Sequence, residues 1–407
     1  MTTALSGIRV LDLSRILAGP WATQTLADLG ADVIKVERPG RGDDTRTWGP
    51  PYQPSENSNA ANESAYFLAA NRGKKSIALD ITSTEGQLII RELIESTDIL
   101  VENFKVGGLK KYGLDYERLR KINPRLIYCS ITGFGQTGPY SHRPGYDFML
   151  QGMGGLMSIT GEPDNHPGGG PVKVGVATAD IYTGLYSTIA IMGALRIRDQ
   201  NGVGEYIDMS LLDVQVAVLA NQASNYLVSG QPPGRLGNAH PNIVPYQAFA
   251  TEDGHLILAV GNDSQFRDFC IACDQPDLAK DERFTTNPGR VENRQQLVPI
   301  VEKILRSRAT EAWLTVLESA GVPCGPINNI EQVFEDPQVK SRELHRQLPH
   351  ANCGSVPSVA NPIRYTNNKL ECSTAPPALG QHTETVLKEL GLSQEKIEYL
   401  YDQGIIT

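Results

Sequence analysis

Asp180 is the residue of this sequence whose position best suits covalent chemistry. It stands at the start of a long apolar segment, about Ala179 to Arg198, that predicts a helix. The amides and the dipole at a helix start stabilise a carboxylate. The small residues of Val174-Gly-Val-Ala-Thr-Ala179 leave room beside the carboxyl group for a ligand, as a nucleophile requires. Aspartate is also a preferred N-cap residue, so a purely capping role is the alternative.

Two basic clusters have the composition of a phosphate-binding site. Asn71-Arg-Gly-Lys-Lys75 comes directly before one predicted strand, and Glu37-Arg38-Pro-Gly-Arg41 comes directly after another. Cations of this kind hold polyphosphates through charge-assisted hydrogen bonds. Solvated surface charge is the alternative. The loop before a strand and the loop after one lie at opposite edges of a parallel sheet, so the two clusters meet only if the chain doubles back.

The remaining motifs predict no further chemistry. Gly133-Phe-Gly-Gln-Thr-Gly138 has dinucleotide-binding spacing, but Pro139 and Pro144 argue against the helix that would have to follow, so we expect a glycine turn. Cys270 and Cys273 lie in an apolar stretch and are expected to be packed thiols. The seven histidines show no metal-binding spacing, and we expect no metal site.

The composition is that of an acidic globular protein. Its 407 residues include 37 Lys and Arg against 46 Asp and Glu, a formal net charge of −9, which argues against a nucleic-acid binder. Apolar residues make up 40%, enough to bury a sizeable core. No secretory leader and no uncharged apolar run of membrane-spanning length is visible, so we expect a cytoplasmic protein without a membrane partner.

Strand-like and helix-like segments alternate through the first third of the chain. Strands are expected at 8–13, 32–37, 76–80, 98–102 and 126–131, and helices at 20–30, 84–96 and 115–122. Strands separated by single helices pair in parallel through right-handed crossovers. We therefore predict a doubly wound α/β sheet with ligands at the carboxyl ends of its strands.

The pattern changes after residue 145. A strand-like Val172-Lys-Val-Gly-Val176 precedes the long helix, and a hairpin turning at Asp253-Gly254 begins a smaller α+β domain. We predict a large domain over residues 1–205, a helical linker over 206–228, the small domain over 229–330 and a return linker over 331–344. The tail, 345–407, is expected to complete the large domain.

Taken together, these segments resemble the class III CoA-transferase family, of the formyl-CoA and carnitine CoA-transferase type. The matching stretches follow one another over nearly the whole chain: Leu11-Asp-Leu-Ser-Arg-Ile-Leu-Ala-Gly-Pro20, Gly30-Ala-Asp-Val-Ile-Lys-Val-Glu-Arg-Pro39, Asn71-Arg-Gly-Lys-Lys-Ser76, Val101-Glu-Asn-Phe104, Gly133-Phe-Gly-Gln-Thr-Gly-Pro139, Gly321-Val-Pro-Cys-Gly-Pro326 and Leu379-Gly-Gln-His-Thr383. Within the family the chain is most similar to the branch that acts on succinate and hydroxymethylglutarate or glutarate, on stretches such as Gly42-Asp-Asp-Thr-Arg-Thr-Trp-Gly-Pro-Pro51.

The resemblance implies an activity and a nucleophile. Asp180 falls on the family's catalytic aspartate, whose carboxylate forms an acyl anhydride and then an aspartyl-CoA thioester. Such a nucleophile needs no general base, and we expect backbone amides near the helix start to stabilise each tetrahedral intermediate. Coenzyme A is then a substrate, and no permanently bound cofactor is expected. The implied fold is a Rossmann-like large domain with a small domain in an interlocked homodimer.

The same resemblance implies binding residues. Those for coenzyme A are Arg38, Asn71, Arg72, Lys74, Lys75, Asn103, Phe104, Lys111 and Tyr146. The acid substrate is expected to be a dicarboxylate whose distal carboxylate needs a cation, and Arg46, Arg235 and His240 are the candidates on motif proximity. Leu17 replaces a glutamine of the formyl-CoA transferases, whose glycine-run loop is also absent, so a formyl or oxalate preference is a secondary alternative.

Two further functions remain as alternatives. A 2-methylacyl-CoA racemase shares the implied fold, but it carries a histidine where this chain has Tyr146, and tyrosine, with a pKa near 10, is a poor proton carrier at neutral pH. A CoA-binding protein without catalysis is the other alternative. A covalent adduct at Asp180 distinguishes a transferase from both.

Overall fold

The chain folds into two compact units. The structure is a computed structural model that describes residues 3–58, 60–368, 370 and 374–407. Within these residues, the first unit contains the chain up to Leu156 together with Val174–Ser224 and the segment from Gln338 onward, and the second contains Met157–Lys173 and Asn225–Pro337. Both units are therefore assembled from separate stretches of sequence.

A six-stranded parallel sheet forms the centre of the first unit. The strands up to residue 210 are β1 Arg9–Asp12, β2 Asp32–Glu37, β3 Tyr52–Gln53, β4 Glu63–Ser64, β5 Lys74–Ala78, β6 Ile99–Glu102, β7 Ile127–Thr132 and β8 Tyr206–Ser210. The sheet has the order β5-β2-β1-β6-β7-β8, while β3 and β4 form a separate antiparallel pair. The chain leaves β1 in one direction and later returns to its other side at β6, so the strand order reverses there. This confirms the doubly wound α/β fold.

Helices cover both faces of the sheet. Up to residue 229 they are α1 Ala18–Asp28, α2 Ala65–Ala70, α3 Thr84–Glu95, α4 Tyr116–Ile122, α5 Asp147–Met153, α6 Leu156–Ile159, α7 Thr178–Asn201, α8 Leu211–Ala217 and α9 Ala220–Ser229, with 3-10 turns at Asp44–Thr47 and Lys110–Tyr112. On one face Leu26 of α1 and Ile191 of α7 share a buried apolar cluster with Val10 of β1. On the other face Ile90 of α3 packs with Leu11 of β1. Because both faces of the sheet are covered, its strands are mostly buried, including charged residues such as Asp12, Lys35 and Lys74.

The end of the chain completes the first unit. Here the structure has β12 His345–His350, β13 Gly354–Val359, α16 Thr383–Glu389 and α17 Gln394–Asp402. Val386 and Leu400 join the apolar cluster that contains Leu11 and Ile90, and Ile406 bridges Leu79 just after β5. The C-terminal helices are therefore part of the core of the first unit.

The second unit has a three-stranded antiparallel sheet. Its strands are β9 Tyr246–Ala250, β10 His255–Ala259 and β11 Cys324–Pro326, and its helices include α10 Asp263–Ala272, α11 Asn287–Glu292, α12 Arg294–Leu305 and α13 Thr310–Ser319, with a 3-10 turn at Leu278–Lys280. Two short helices follow, α14 Ile330–Glu335 and α15 Pro337–Ser341. Strands β9 and β10 form the hairpin expected at Asp253-Gly254. Cys270 and Cys273 are buried free thiols, as predicted.

Three segments differ from the sequence predictions. Tyr206–Ser210 is the edge strand β8, paired with β7, where a helical linker was expected to begin. Val172–Val176 forms no strand in the described structure. Pro20 lies in the third position of α1, which begins at Ala18, a first-turn position where the missing N–H costs no helical hydrogen bond. Among the described helices none is long and apolar enough to span a membrane.

Candidate active site

Asp180 lies in the first turn of α7 but does not cap it. The helix begins at Thr178, its N-cap residue is Ala177, and no side-chain cap hydrogen bond is made from that position. The Asp180 side chain is half-buried. The capping alternative for Asp180 is therefore wrong, and its carboxylate is placed beside the helix start without serving as the cap.

A second aspartate takes the capping role from outside the helix. Asp147, the first residue of α5, accepts the backbone N–H of Ala179 at 2.8 Å and that of Asp180 at 3.3 Å through its Oδ1. Its Oδ2 accepts the Nε2 amide of Gln151 at 2.7 Å. The sequence shows Asp147 only as the neighbour of Tyr146, and no local pattern indicates that it reaches a helix 32 residues away.

The charge of Asp147 and the burial of the site both act on the carboxyl group of Asp180. Burial raises the pKa of Asp180 from its ordinary value to about 7, and the like charge of Asp147 adds to the increase. An aspartate in the first turn of a helix would otherwise be stabilised as the anion. Asp180 is therefore unusually basic for an aspartate, a property typical of catalytic carboxylates.

The backbone amides at the start of helix α7 already donate hydrogen bonds within the protein, and their role in stabilising an oxyanion stays a prediction. Thr178 donates its N–H to the Val176 carbonyl at 2.8 Å, and Ile181 donates to the Ala177 carbonyl at 3.1 Å. The two amides between them donate to Asp147. All four of these amides therefore have an acceptor within the protein.

Tyr66 is a donor near Asp180. It lies in the first turn of α2, half-buried, and its ring meets that of Trp48 edge-on with centroids 5.2 Å apart. Burial, followed by the charges of Asp180, Asp147 and Asp43, raises the pKa of Tyr66 to about 12. Its hydroxyl therefore keeps its proton at neutral pH and has that proton available for a hydrogen bond. The sequence offered no signal for this residue.

A cavity of about 210 Å³ opens at the carboxyl ends of the strands. Its lining comes from the last residues of β2 and from the segments that follow β1, β2, β5 and β6: Leu13, Ser14, Arg15, Lys35, Val36, Glu37, Arg38, Gly42, Asp43, Leu79, Asp80, Ile81, Thr82 and Phe104, with Tyr112 beyond. This is where a doubly wound sheet binds its ligands. Arg38 and Phe104, both predicted to contact coenzyme A, lie in this lining.

Three arginines converge on one carboxylate at the cavity. Asp44 accepts a 2.6 Å bond from Arg15 and a 2.8 Å bond from Arg38, and it lies 3.7 Å from Arg41. The three side chains keep between 39% and 66% of their surface exposed. One carboxylate balances one of the three charges, so the cluster has a net positive charge suited to a phosphate.

Arg46, which was predicted to bind the acid substrate, forms buried ion pairs next to the cavity. The Arg46 guanidinium binds Glu37 at 2.7 Å and Glu63 at 3.1 Å, and its side chain is 9% exposed. Its charge is balanced inside the protein, so the structure does not offer Arg46 as the free cation proposed for the acid substrate. The centre of the Phe67 ring lies 3.6 Å from the central carbon of the same guanidinium.

Three further residues of the predicted phosphate clamp are also structural. Lys74 is fully buried and binds Asp12 at 3.0 Å and the Asn71 amide oxygen at 2.9 Å. The Asn71 Nδ2 donates to the Phe67 carbonyl at 2.9 Å. Arg72 pairs with Asp28 at 2.6 Å. The charges of these side chains are balanced inside the protein, and contact of this segment with coenzyme A stays a prediction.

The other four residues predicted to contact coenzyme A lie at different distances from the cavity. Lys75 binds Asp32 at 2.9 Å, at the amino ends of β5 and β2 and so away from the cavity. Asn103 bonds both backbone groups of Arg15 and thereby positions a cavity residue. The Lys111 ammonium lies 4.6 Å from the centre of the Tyr112 ring, at the cavity wall. Tyr146 is 63% exposed, one residue from Asp147.

Two acid-substrate candidates belong to the second unit. Arg235 binds the Glu162 carbonyl at 3.1 Å and pairs with the Asp164 carboxylate. The His240 ring stacks obliquely on Tyr246 with centroids 5.2 Å apart. Burial, together with the charge of Arg294, lowers the pKa of His240, so it is neutral at pH 7 and is not a cation for a carboxylate there.

The glycine motif that has dinucleotide-binding spacing forms a turn. Strand β7 ends at Thr132, and helix α5 begins only at Asp147, so Gly133 to Gly138 forms the expected glycine turn and opens no helix. The Cα of Gly133 lies against Gly145, where a Cβ would have no room.

Within the described residues no group of three or more His, Cys, Asp or Glu side chains has the arrangement of a metal site.

Comparisons with known proteins agree on one family. The family model described as CoA-transferase family III matches residues 5–383. The succinate–glutarate CoA-transferase of Agrobacterium fabrum is 54% identical over 389 residues, which cover 95% of this chain and 95% of that protein. The succinyl-CoA:glutarate CoA-transferase of Homo sapiens is 46% identical over 403 residues, covering 99% of this chain and 90% of that protein.

A solved structure shows the same fold. The crystal structure of a CAIB/BAIF family protein from Brucella suis superimposes with a TM-score of 0.84 at 51% sequence identity. The match covers 96% of this chain and 100% of that chain. The similarity therefore extends over both units and is not limited to the parallel sheet.

Proposed function

This chain belongs to CoA-transferase family III, and we propose that it transfers coenzyme A between succinyl-CoA and a dicarboxylic acid such as glutarate, with the Asp180 carboxylate as the acyl carrier. It is a CoA-transferase, and coenzyme A thioesters are its substrates. The choice of succinate and glutarate is supported by the names of two relatives that are 54% and 46% identical over nearly the full length. The observation that carries the role of Asp180 is its position, half-buried in the first turn of α7 beside Asp147.

The reaction proceeds through four acyl transfers. The Asp180 carboxylate oxygen attacks the thioester carbonyl, forming a mixed anhydride and releasing the CoA thiolate. The thiolate attacks the Asp180 carbonyl of the anhydride, which gives an aspartyl-CoA thioester and frees the donor acid. The acceptor carboxylate attacks the carbonyl of this thioester, forming a second anhydride and releasing the CoA thiolate again. The thiolate then attacks the acceptor carbonyl of the anhydride, which gives the new acyl-CoA and restores the Asp180 carboxylate. Each step exchanges one acyl bond for another and needs no outside base.

Tyr66 is our candidate for the oxyanion donor. Each of the four attacks passes through a tetrahedral intermediate with a negative oxygen, and a positioned donor lowers that barrier. The amides at the start of α7 already donate hydrogen bonds within the protein. The Tyr66 hydroxyl, in contrast, keeps its proton at neutral pH, and the charge of Asp180 contributes to its raised pKa. Trp48 packs against the Tyr66 ring and restricts its orientation.

The cavity at the strand ends is our candidate for the nucleotide part of coenzyme A. The cluster of Arg15, Arg38 and Arg41 around Asp44 supplies positive charge for phosphate groups, and Phe104 supplies an apolar wall. Lys111 and Tyr146 remain proposed contacts, since Lys111 lies beside the cavity wall and Tyr146 is exposed next to Asp147. We propose no permanently bound cofactor.

We propose a homodimer with helix α7 in its interface. Along α7 an apolar stripe is exposed at helical spacing: Tyr182, Leu185, Tyr186, Ile189, Met192 and Ile197. A contiguous exposed stripe of this length marks an interaction surface. Light scattering of the purified protein is expected to give about twice the chain mass of 44.3 kDa, and a monomer in solution would contradict the proposal.

A substrate panel tests the proposed reaction. Succinyl-CoA and glutaryl-CoA are incubated with dicarboxylic acids of increasing chain length and with formate and oxalate, and the new thioesters are identified by mass spectrometry. We expect rapid exchange between succinyl-CoA and glutarate in both directions. Formation of formyl-CoA or oxalyl-CoA alone would overturn the substrate assignment while leaving the CoA-transferase activity in place.

A further inference from the structure

Helix α7 directs its first-turn amides at a residue other than its own aspartate. An aspartate at this position usually gains from the partial positive charge of the helix start. Here the N–H groups of Ala179 and Asp180 donate to the Oδ1 of Asp147 instead. A residue from α5 therefore uses the stabilisation that Asp180 would otherwise receive.

Asp147 is itself held in place by a short hydrogen-bond chain. Its Oδ2 accepts the Gln151 Nε2 at 2.7 Å, one helical turn along α5. The Gln151 Oε1 in turn accepts the backbone N–H of Val174 at 2.9 Å, and Gln151 is fully buried. Asp147 and Gln151 thus tie both ends of segment 174–180, which carries Asp180, to α5.

We infer that Asp147 is a positioning residue of the transfer reaction, which caps α7 in place of Asp180 and keeps the Asp180 carboxylate free as a nucleophile. The inference rests on the proposed function, because it requires Asp180 to be the acyl carrier. Asp147 touches the backbone of the nucleophile and not the reacting atoms. It acts through the geometry of the helix start and through its charge.

The charge of Asp147 also favours the acylated state. Free Asp180 is an anion next to another anion, whereas the anhydride and the thioester of Asp180 are neutral at that carboxyl group. Acylation therefore removes a repulsion that the free enzyme has. The raised pKa of Asp180, caused by burial and then by Asp147, agrees with this direction.

Among the residues that the structure describes, Asp147 is the charged group that raises the pKa of Asp180. From α2 the Tyr66 hydroxyl responds to the Asp180 charge and remains neutral at pH 7. Helix α1 packs along α7 and presents Ala18 and Trp21 to Gly184, one turn from Asp180, and neither side chain titrates. Asp147 is therefore the charged group to change.

The test compares two substitutions of the same chemical type. Asp147→Asn removes the charge but keeps an oxygen that can accept the α7 amides. Asp199→Asn, at the exposed far end of α7 about 28 Å away, is the matched control. For each variant we measure the pH profile of kcat/KM, the KM for succinyl-CoA, and the steady-state fraction of Asp180 found as a covalent adduct.

We expect Asp147→Asn to lower the pH midpoint of kcat/KM by about one unit, to reduce the adduct fraction severalfold and to leave the KM for succinyl-CoA within about twofold. Asp199→Asn is expected to match the wild type in all three. A normal adduct with an unchanged pH midpoint in Asp147→Asn would overturn this inference and leave the proposed function standing. Absence of any adduct in the wild type would instead overturn the proposed function.

A second variant separates geometry from charge and remains informative if Asp147→Asn does not fold. Gln151→Leu removes the bonds to Asp147 and Val174 and leaves the charge of Asp147 in place. We expect it to lower kcat about tenfold while the pH midpoint stays near that of the wild type. An unchanged kcat in Gln151→Leu would show that the chain from Val174 to Asp147 positions nothing that the reaction needs.

Discussion

The Oδ1 atom of Asp147 lies 3.3 Å from the backbone nitrogen of Asp180, so one aspartate caps the helix whose first turn carries the other. This arrangement places two carboxyl groups at one helix start. The helix amides donate to Asp147 and not to the Asp180 carboxyl group. Burial and the like charge of Asp147 therefore determine the pKa of Asp180, which rises to about 7. The same contact leaves the Asp180 carboxylate without a capping role at this helix.

The first prediction concerns pH. In the proposed mechanism only the ionised Asp180 is a nucleophile, and its raised pKa means that ionisation is lost as the pH falls through about 7. We therefore expect kcat/KM to be constant above pH 8 and to fall about tenfold per pH unit in the acidic range. Initial rates across pH 5.5 to 9 in buffers of constant ionic strength measure it. A midpoint near pH 4, the ordinary range of aspartate, would contradict the electrostatic account of the site.

The second prediction concerns Tyr66. Tyr66→Phe removes the hydroxyl and keeps the ring that packs against Trp48. Loss of one oxyanion donor typically lowers kcat about 100-fold, with little change in KM because the bond strengthens only in the intermediate. Steady-state kinetics compare it with Tyr399→Phe, an exposed tyrosine of α17. Equal kcat values for the two variants would remove Tyr66 from the mechanism.

The third prediction concerns the arginine cluster. Arg38→Ala is expected to raise the KM for succinyl-CoA about 10- to 100-fold, the worth of a charge-assisted hydrogen bond, while kcat stays within about threefold. The effect should weaken as salt is added, because Arg38 is about half exposed. Arg120→Ala, on the exposed side of α4, is the control. A fall in kcat without a change in KM would show that Arg38 does not bind the nucleotide.

The fourth prediction concerns Arg46, which the structure shows as a buried partner of Glu37 and Glu63. Arg46→Met leaves two buried carboxylates without their cation and is expected to reduce the free energy of unfolding by about 3–5 kcal/mol. Chemical denaturation measures it, with Arg120→Met at an exposed ion pair as the control. A variant of normal stability with a raised KM for the dicarboxylate alone would restore Arg46 as a substrate ligand.

The parallel sheet could be predicted because its strands carry strong local signals. Segments such as Ile99–Glu102 and Ile127–Thr132 are rich in apolar and β-branched residues and are buried along their whole length, as expected for strands covered on both faces. The hairpin of β12 and β13 gave no such signal, since Pro349 and Pro357 interrupt it and proline is confined to edge strands. Val172–Val176 alternates like a strand, but in the described structure no strand pairs with it.

The candidate site could be predicted only in part, because closeness in sequence does not show which distant residues a side chain contacts in the fold. Asp180, Arg38 and Phe104 could be identified from motifs, and the structure puts the last two in one cavity. Lys74 and Arg72 have the composition of a phosphate clamp, yet their partners Asp12 and Asp28 lie 62 and 44 residues away. Asp147 was missed for the same reason, since its role depends on a contact across 33 residues.

The covalent state of Asp180 during turnover tests the central claim most directly. The enzyme is mixed with succinyl-CoA, quenched during steady turnover, digested, and the peptide that contains Asp180 is weighed by mass spectrometry with and without hydroxylamine, alongside Asp180→Ala. The account predicts a hydroxylamine-sensitive CoA or acyl adduct on Asp180, and an Asp180→Ala variant that binds coenzyme A but transfers nothing. Product accumulation with Asp180 unmodified, or turnover by Asp180→Ala, would contradict it.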